Sequence, residues 1–327
     1  MLRVAMLSKW HVHAAGYARD VISTGKAEIT AVWDEDAVRG KEWADELNVD
    51  FEANLDTLLA REDIDAVICC TPTTMHDEVL VKAANARKNI FTEKALSTTV
   101  DGCNKIAKAI NDSGITFTIS YPQLFNKTTK FIKECIESGK LGTVTTVRIR
   151  NAHSGVSGGW LPEYWFEEKD AGGGAMMDLG CHPMYQLAAI CGKPKRISAI
   201  FNSPLGSKVD ENAVSIIEFE NGIIGISETG FDSYASPHKF EVYGTDGTII
   251  EDNGQLLIKT KETSQISNAF IEPQAEDGET NPIFKFIDAC IDGTGTPDGL
   301  GLDAATALTE LLEQSYISNK TNTTVVI

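Results

Sequence analysis

Hydrophobic and polar positions follow two different patterns along the chain. In the first 120 residues, short apolar runs alternate with longer amphipathic stretches, a pattern typical of parallel strands joined by crossover helices. Most of the runs are nearly continuous in apolar residues, as expected for strands that are covered on both faces. They predict strands at 3–7, 28–33, 65–70, 89–92 and 116–120. The amphipathic stretches predict helices at 14–24, 36–47, 76–87 and 98–112.

The pattern changes after Tyr121-Pro122. A helix predicted at 126–138 leads into β-rich sequence, and turn sequences such as Glu220-Asn221-Gly222 are typical of hairpins in an antiparallel sheet. The apolar runs predict strands at 143–150, 196–201, 213–220, 223–229, 239–243, 248–251 and 255–259, with further helices at 281–291 and 302–318. A chain of 327 residues is long enough for two domains, and we predict an α/β domain over 1–121 and an α+β domain over 122–327.

The composition argues against several kinds of partner and site. Asp and Glu number 47 against 29 Lys and Arg, and the resulting net charge of −18 argues against nucleic acid or an anionic membrane as a partner. The seven cysteines are an odd number without a C-x-x-C pair, so we expect buried thiols in a reducing compartment. No stretch approaches the ~20 apolar residues of a membrane span, and no histidine or cysteine spacing is typical of a zinc site. We therefore expect a soluble cytoplasmic protein without a structural metal.

The loop after the first predicted strand lacks the glycine fingerprint of dinucleotide-binding units. Such units normally carry G-x-G-x-x-G there, because glycine lets the backbone approach a pyrophosphate at a helix N-terminus. The corresponding positions are Ser8, Trp10 and His13. His11 and His13 could replace the lost backbone contacts through imidazole N–H groups or positive charge, or they could cap or pack the first helix. The sequence leaves both interpretations open.

An acidic residue ends the second predicted strand. Asp34 lies 21 residues after His13, the offset expected for the carboxylate that accepts hydrogen bonds from an adenosine ribose. Together with Glu35 it would repel a 2′-phosphate, so the sequence favours NAD over NADP. The alternative is that Asp34 caps the helix that follows.

Three segments carry a recognisable combination of motifs. They read CTPTTMH at 70–76, TEKALS at 92–97 and GGGAMMDLGCHP at 172–183. In this order and at these distances they resemble the glucose-fructose oxidoreductase, inositol dehydrogenase and MocA family, written Gfo/Idh/MocA. The resemblance extends over essentially the whole chain, because segments 218–222 and 243–248 are similar to the family's C-terminal sheet.

The resemblance implies an architecture and an activity. The architecture is an N-terminal Rossmann domain that binds NAD(P), followed by a domain built on a large, open, mainly antiparallel sheet. The activity is hydride transfer between nicotinamide and a secondary hydroxyl or carbonyl group of a sugar, glycoside, inositol or related polyol. Family members commonly pair through the C-terminal sheet, so a homodimer or homotetramer is expected.

The resemblance also implies catalytic residues. Lys94 matches the lysine of the family's E-K-P motif, and Asp178 and His182 match its D-x-G-x-H motif. Hydride transfer from an alcohol requires removal of the hydroxyl proton, and Lys94 and His182 are expected to share this task without a decision on which is the general base. Asp178 is expected to orient one of them.

Two further sets of residues are expected to line the site. The loop residues described above and the matched motifs give the cofactor-binding set Ser8, Trp10, His11, His13, Asp34, Thr71, Pro72, His76 and Glu93. The substrate-binding set is Lys94, Tyr121, Trp160, Trp165, His182 and Tyr185. The two tryptophans could stack on a sugar, but packing in the core of the second domain is the safer interpretation.

Departures from the family pattern leave alternatives open. Ala95 replaces the proline of E-K-P, and Tyr185 stands where an acidic residue often follows D-x-G-x-H. One alternative activity is that of an NAD-using glycosidase, in which transient oxidation of a sugar allows a neighbouring glycosidic bond to eliminate. The other is a catalytically inactive nucleotide or sugar sensor, suggested by the missing glycines.

Overall fold

The computed structural model describes residues 1–278 and 281–327, and these form two compact units. The first unit consists of residues 1–121 and 281–309, and the second of residues 122–278 and 310–327. Residues 281–309, which the sequence prediction assigned to the second domain, thus group with the first unit. The physical reason is apolar packing, because Ile283, Phe286 and Ile287 are fully buried in the same core as Val4 and Met6.

The first unit is built on a six-stranded sheet with the strand order β3-β2-β1-β4-β5-β6 and parallel pairing throughout. Its strands are β1 (Leu2–Leu7), β2 (Ala27–Trp33), β3 (Asp50–Phe51), β4 (Ala66–Cys69), β5 (Asn89–Thr92) and β6 (Phe117–Ile119). Its helices before residue 121 are α1 (Ala14–Ser23), α2 (Ala37–Leu47), α3 (Leu55–Leu59), α4 (His76–Asn85) and α5 (Val100–Ser113). Because β1 lies between β2 and β4, the chain changes direction across the sheet at β1 and β4, the position where ligands bind in such folds.

The ends of α5 show how local sequence sets the elements. The Thr99 hydroxyl accepts a hydrogen bond from the Gly102 N–H at 3.1 Å and caps the helix N-terminus. Gly114 ends the helix with a left-handed backbone, φ +67°. These two features set the bounds of α5 close to the predicted range 98–112.

The second unit is built on an eight-stranded sheet with the order β13-β12-β11-β7-β10-β9-β8-β14. Its strands are β7 (Val144–Ala152), β8 (Pro194–Asn202), β9 (Asn212–Phe219), β10 (Ile224–Gly230), β11 (His238–Gly244), β12 (Gly247–Asp252), β13 (Gln255–Thr260) and β14 (Val325–Val326). Strands β7 and β10 pair in parallel, whereas the other neighbouring strands pair antiparallel. The predicted fold class, a parallel sheet followed by a mainly antiparallel one, is confirmed.

Helices cover one face of the eight-stranded sheet. The helices that follow α5 in the chain are α6 (Lys127–Glu137), α7 (Glu168–Ala171), α8 (Ala175–Asp178), α9 (Cys181–Cys191), α10 (Pro282–Asp292) and α11 (Leu302–Thr321). Of these, α10 and the first part of α11 belong to the first unit. Helices α8 and α9 contact β7, β9 and β10, and the strand residues on that side, such as Val147 and Ile217, are fully buried. The motif segment 172–183 therefore lies on the covered face.

Two findings concern the state of the cysteines and the length of the helices. The seven cysteines are not joined by disulfides, and all except Cys290 are buried. None of the helices in the described ranges is long and apolar enough to cross a membrane.

Candidate active site

Ser8 shapes the loop that follows β1 in the first unit. It is fully buried and has a left-handed backbone, φ +71°, which is the conformation that glycine usually provides. A residue other than glycine pays about 1–2 kcal/mol for this conformation. The Ser8 hydroxyl accepts a hydrogen bond from the Trp10 N–H at 3.0 Å, which helps to hold the turn. The loop thus keeps a glycine-type turn without the glycine.

The two histidines of this loop connect β1 with the ends of other strands. The His11 N–H donates to the Cys70 carbonyl at 3.1 Å and ties the loop to the end of β4. His13 occupies the N-cap position of α1, but its side chain makes no capping hydrogen bond. Its Nδ1 lies instead 2.7 Å from Glu93 Oε1, and about half of the side chain is exposed. The interpretation that His13 caps α1 through its side chain is therefore wrong, but its ring does lie edge-on to that of Tyr17 in α1, with centroids 6.1 Å apart.

Glu93 is the buried centre of this part of the site. It follows β5, and its carboxylate accepts hydrogen bonds from the Lys94 N–H at 2.9 Å and from the Tyr17 hydroxyl. Burial alone raises the pKa of Glu93, but the charges of His11 and His13 outweigh this effect and hold the pKa well below its usual range. Glu93 is thus an anion balanced by its neighbours, with Lys94 directly beside it.

Asp34 is engaged by more partners than the sequence suggested. Its Oδ1 accepts from the Asp36 N–H at 2.8 Å and from Arg39 Nη2 at 2.6 Å. Its Oδ2 accepts from the Lys9 N–H at 2.8 Å and from Arg39 Nε at 3.0 Å. Asp36, not Asp34, caps α2. A carboxylate has about four acceptor positions, so hydrogen bonding to a ribose would require Arg39 to move.

The residues after β4 support the segment that carries Lys94. Thr71 Oγ1 lies 3.3 Å from Cys69 Sγ, and Pro72 begins the turn that leads into α4. Buried His76 donates from Nδ1 to the Ala95 carbonyl at 2.9 Å. Lys94 itself is buried, and the Lys94–Ala95 peptide bond is cis. His76 thus contacts the backbone next to Lys94.

The loop residues of the first unit fit a dinucleotide. The turn at Ser8 leads to the N-terminus of α1, where the helix dipole and half-exposed His13 favour an anionic group such as a pyrophosphate. Asp34, just after β2, is the carboxylate expected to accept from an adenosine ribose, and Arg39 of α2, which donates to both of its oxygens, would have to move to free an acceptor. Tyr121, which was expected to bind substrate, is fully buried, and its hydroxyl donates to the Ala304 carbonyl at 3.4 Å.

In the second unit, Asp178 and His182 lie on two consecutive helices. Helix α8 ends at Asp178 and α9 begins at Cys181, so no single helix runs from 178 to 182. Trp165 is buried and its Nε1–H donates to Asp178 Oδ2 at 3.1 Å. The core interpretation of Trp165 is therefore confirmed, and its polar end contacts a residue expected to be catalytic.

Tyr185 contacts His182 directly. The Tyr185 hydroxyl lies 2.8 Å from His182 Nδ1 and accepts a hydrogen bond from the Gln123 N–H at 3.1 Å. Because Tyr185 is itself buried, its contact holds the His182 imidazole ring in one orientation.

Asp210, which the sequence analysis did not single out, holds the glycine-rich segment before α8. Its carboxylate accepts from the Gly174 N–H at 2.9 Å, the Met176 N–H at 2.7 Å and the Tyr316 hydroxyl at 2.8 Å. Its backbone carbonyl accepts from the Ala175 N–H at 2.7 Å. Asp210 thus satisfies the first N–H groups of α8 from a distant part of the chain.

An aromatic cluster with one exposed member, Trp160, lies at the end of β7. The Trp160 side chain is 55% exposed, and its ring centroid lies 4.6 Å from that of His153. His153 stacks on Phe231 with centroids 5.1 Å apart and an interplanar angle of 13°. The core interpretation is therefore wrong for Trp160.

Sequence reasoning missed three residues that contact the expected site residues, namely Tyr17, Arg39 and His153, and it missed Asp210, which holds the segment that leads to Asp178. Arg39 alone had a local signal, because it lies five residues after Asp34 at the start of a helix. Tyr17 and Asp210 reach their partners across 76 and 36 residues of sequence, and no short-range pattern predicts such contacts. Lys94 lies in the first unit and Asp178 and His182 in the second, so their joint action stays a prediction.

The fold and the loop geometry define a class of protein. A parallel sheet in the order β3-β2-β1-β4-β5-β6, with a tight turn after β1, is the arrangement of dinucleotide-binding Rossmann domains. The chain belongs to the Gfo/Idh/MocA oxidoreductases. Residues 10–121 match the family model described as oxidoreductase family, NAD-binding Rossmann fold, and residues 129–250 match the GFO/IDH/MocA C-terminal domain. The predicted family membership and the prediction of an oxidoreductase are thereby confirmed.

Named relatives include enzymes of different reaction types. The chain is 26% identical over 276 residues to the 2,7-anhydro-N-acetylneuraminate hydratase of Mediterraneibacter gnavus, covering 79% of this chain and 70% of that protein. It is 24% identical over 292 residues to the 1,5-anhydro-D-fructose reductase of Ensifer adhaerens, covering 86% of each. Among solved structures, levoglucosan dehydrogenase in complex with NADH and L-sorbose has a TM-score of 0.86 at 18% identity, covering 100% of this chain and 98% of that one. The structural likeness at this identity concerns the fold.

Proposed function

We propose that the protein is an NAD-dependent dehydrogenase or reductase that acts on a secondary hydroxyl or carbonyl group of a sugar, glycoside, inositol or related polyol. The observation that carries this proposal is the position of Lys94, which is buried, follows β5 and adjoins Glu93, the partner of His13 in the loop after β1. Lysine side chains without a specific role are almost never buried in this way, because the charged group prefers water. Membership of the oxidoreductase family supports the same reaction class.

The chain's own residues would supply binding and proton transfer. When bound, NAD supplies the hydride acceptor or donor. Lys94 and His182 would bind the reacting hydroxyl group and take or return its proton, while Asp178 would orient one of them. Tyr185 would hold His182 through their 2.8 Å contact. Exposed Trp160 would offer an aromatic face to the sugar.

A second candidate is a redox-neutral reaction. A relative named as a hydratase favours it, since net addition of water involves no net oxidation. In this case bound NAD would take a hydride from the carbon of a sugar hydroxyl, a neighbouring glycosidic bond would eliminate with release of its oxygen as a hydroxyl group, water would add to the double bond formed, and the same hydride would return to the carbonyl. The sensor hypothesis has less support, because the loop keeps its tight turn at Ser8 and Lys94 is buried beside Glu93.

A panel of aldoses, polyols and anhydrosugars tests the main proposal. Incubation with NAD should produce NADH absorbance with at least one member of the panel. Analysis of the sugar products without net NADH accumulation would identify the redox-neutral reaction instead. Failure to bind NAD or NADP in a calorimetric titration would contradict both enzyme proposals.

Cofactor choice provides a separate prediction on Arg39. The negative charges of Asp34 and Glu35 favour NAD, but the Arg39 guanidinium contacts both carboxylates and cancels part of their charge. Replacing Arg39 with alanine should therefore weaken NADP binding by about tenfold or more relative to NAD, since a lost hydrogen bond to a charged group costs roughly 1.5–3 kcal/mol. Calorimetric dissociation constants for both cofactors measure the ratio.

Arg61→Ala is the matched control for Arg39→Ala. Arg61 lies in the same unit and pairs with Asp50 and Asp63 at the surface. Its replacement should leave the ratio of the two dissociation constants unchanged. Equal weakening of NAD and NADP by Arg39→Ala would contradict the proposed role in cofactor choice.

Self-association is proposed through the uncovered face of the eight-stranded sheet. Apolar side chains on β8, β9 and β10 are exposed there, including Ile200, Val214, Ile216 and Ile224. Val214 pairs directly with Ile200 across the strands, so the exposed residues form a continuous patch. Patches of this kind on a folded protein mark interaction surfaces, and we propose a second copy of the chain as the partner.

Ile216→Lys should disrupt this association. A charge in the middle of a buried apolar contact is costly, so light scattering coupled to gel filtration should show a shift towards the monomer mass. Val38→Lys, which places the same charge on an exposed position of α2, should leave the mass unchanged. A monomeric unmodified protein, or an unchanged mass for Ile216→Lys, would contradict the proposal.

A further inference from the structure

His11, His13 and Glu93, which we call the HHE cluster, form a group of three potential metal ligands. One ring nitrogen of each histidine and one carboxylate oxygen lie within 4.8 Å of one another. Glu93 Oε1 lies 2.7 Å from His13 Nδ1 and 3.6 Å from His11 Nδ1. His11 and Glu93 are buried, whereas about half of the His13 side chain is exposed. The cluster is thus accessible from one side.

We propose that the HHE cluster binds one divalent transition-metal ion such as Zn²⁺. Two imidazole nitrogens and one carboxylate oxygen are a ligand set that Zn²⁺ uses when it keeps an open fourth position. A tetrahedral ion with bonds near 2.0–2.1 Å holds its donor atoms about 3.3 Å apart. The separations of 2.7 and 3.6 Å between Glu93 Oε1 and the two histidine nitrogens lie on either side of this value, and the two nitrogens lie within 4.8 Å of each other.

The surroundings of Glu93 resemble the outer shell of a metal site. Ligating carboxylates are normally held by further hydrogen bonds that fix their orientation. The Lys94 N–H donates to Glu93 Oε2 at 2.9 Å, and the Tyr17 hydroxyl donates to Oε1 and lies 2.7 Å from Ser120 Oγ. The carboxylate is therefore oriented towards the histidines before any ion arrives.

The charge of the cluster also suits a cation. Glu93 is a buried carboxylate, and buried charges need a partner of opposite sign. A divalent ion would replace the proton between His13 Nδ1 and Glu93 Oε1, and coordination through His11 Nδ1 would end the hydrogen bond that this nitrogen accepts from the His13 backbone N–H at 3.2 Å. Binding should therefore release protons.

The open fourth position would take water or an oxygen anion such as phosphate. It would face the exposed side of His13, since the other two ligands are buried. The three ligands also belong to the expected cofactor-binding set, so an ion bound there would compete with NAD for His13. The titration below is carried out without NAD or sugar, so its failure would leave the proposed dehydrogenase function untouched.

Titration with Zn²⁺ alone tests the proposal on the full chain. After treatment with a chelator and removal of the chelator, calorimetry should show one Zn²⁺ bound per chain with release of protons. His13→Ala and His11→Ala should each weaken this binding by at least about tenfold, since even the loss of an outer-shell partner costs 10- to 100-fold in affinity. Co²⁺ should give a visible absorption band typical of a low-coordinate site with nitrogen ligands, and this band should be lost in His13→Ala.

His238→Ala is the matched control. His238 Nδ1 also lies 2.7 Å from a carboxylate oxygen, that of Glu251, and the side chain is partly exposed, but among the described residues no second histidine joins this pair in a three-ligand group. Its replacement should leave Zn²⁺ affinity and the Co²⁺ spectrum unchanged. Absence of Zn²⁺ binding, or equal binding by His13→Ala at an unchanged melting temperature, would overturn the proposal. Loss of binding in His238→Ala alone would also overturn it.

Discussion

Replacing Lys94 with alanine is expected to reduce turnover by about 10²- to 10⁴-fold, the usual contribution of a positioned acid or base. The proposed role requires the ammonium or amine group to meet the reacting hydroxyl, and alanine cannot hold or move the proton. The Kd for NAD should change little, because the structural contacts of Glu93 use the Lys94 backbone N–H, which alanine retains. Steady-state rates with NADH absorbance and calorimetric NAD titration measure the two effects separately.

Lys105→Ala controls for the loss of a lysine from the first unit. Lys105 is exposed on α5 and pairs with Asp101 four residues earlier, so its loss should leave turnover unchanged. Full turnover by Lys94→Ala would refute proton transfer by Lys94. Loss of NAD binding with unchanged turnover of the bound fraction would instead assign Lys94 to cofactor binding.

Gly174→Ala is expected to destabilise the second unit and to lower activity. A Cβ at residue 174 would lie 2.1 Å from the carbonyl oxygen and 2.7 Å from the backbone nitrogen of Asp210. These are backbone atoms, so relief of the clash would displace the segment whose hydrogen bonds start α8. Overpacking of this kind costs about 1–3 kcal/mol or more. We expect a clear fall in the denaturation midpoint together with a lower kcat, because α8 carries Asp178.

Gly16→Ala tests whether the effect is specific to position 174. Gly16 lies within α1, and a Cβ there would meet only the end of the Arg19 side chain, at 3.9 Å. Alanine in an exposed helix is favoured over glycine by up to about 1 kcal/mol, so this variant should be as stable as the unmodified protein or slightly more stable. Equal stability of Gly174→Ala and the unmodified protein would show that the 174–210 contact relaxes without cost.

The strands and long helices follow closely from the sequence. The strand predicted at 89–92 agrees with β5 at both ends, and the helix predicted at 14–24 agrees with α1 to within one residue. Continuous apolar runs and helical periodicity are local consequences of burial, which is why they can be recognised without tertiary information. The two-residue strands β3 and β14 escaped prediction because two residues carry no periodicity.

The segment 163–191 shows where local patterns fail. It contains the four-residue helices α7 and α8 and the eleven-residue helix α9, and none of them was predicted as an element. The first turn of α8 depends on the carboxylate of Asp210, which is 36 residues from Gly174. A helix of four residues has little intrinsic stability, so its existence is decided by such distant contacts.

The sequence by itself determined the order of strands and helices, the two kinds of sheet and the family. The reason is that burial and motif spacing produce patterns among residues that are close together in the chain. It also identified Lys94, Glu93 and Asp34 as residues of interest at strand ends. Only the tertiary structure decided that Arg39 covers Asp34, that His11 and His13 converge on Glu93, and that residues 281–309 pack with the first unit. These features depend on side chains that are far apart in the chain, or on the direction in which a side chain points. No local pattern of hydrophobic and polar positions contains that information.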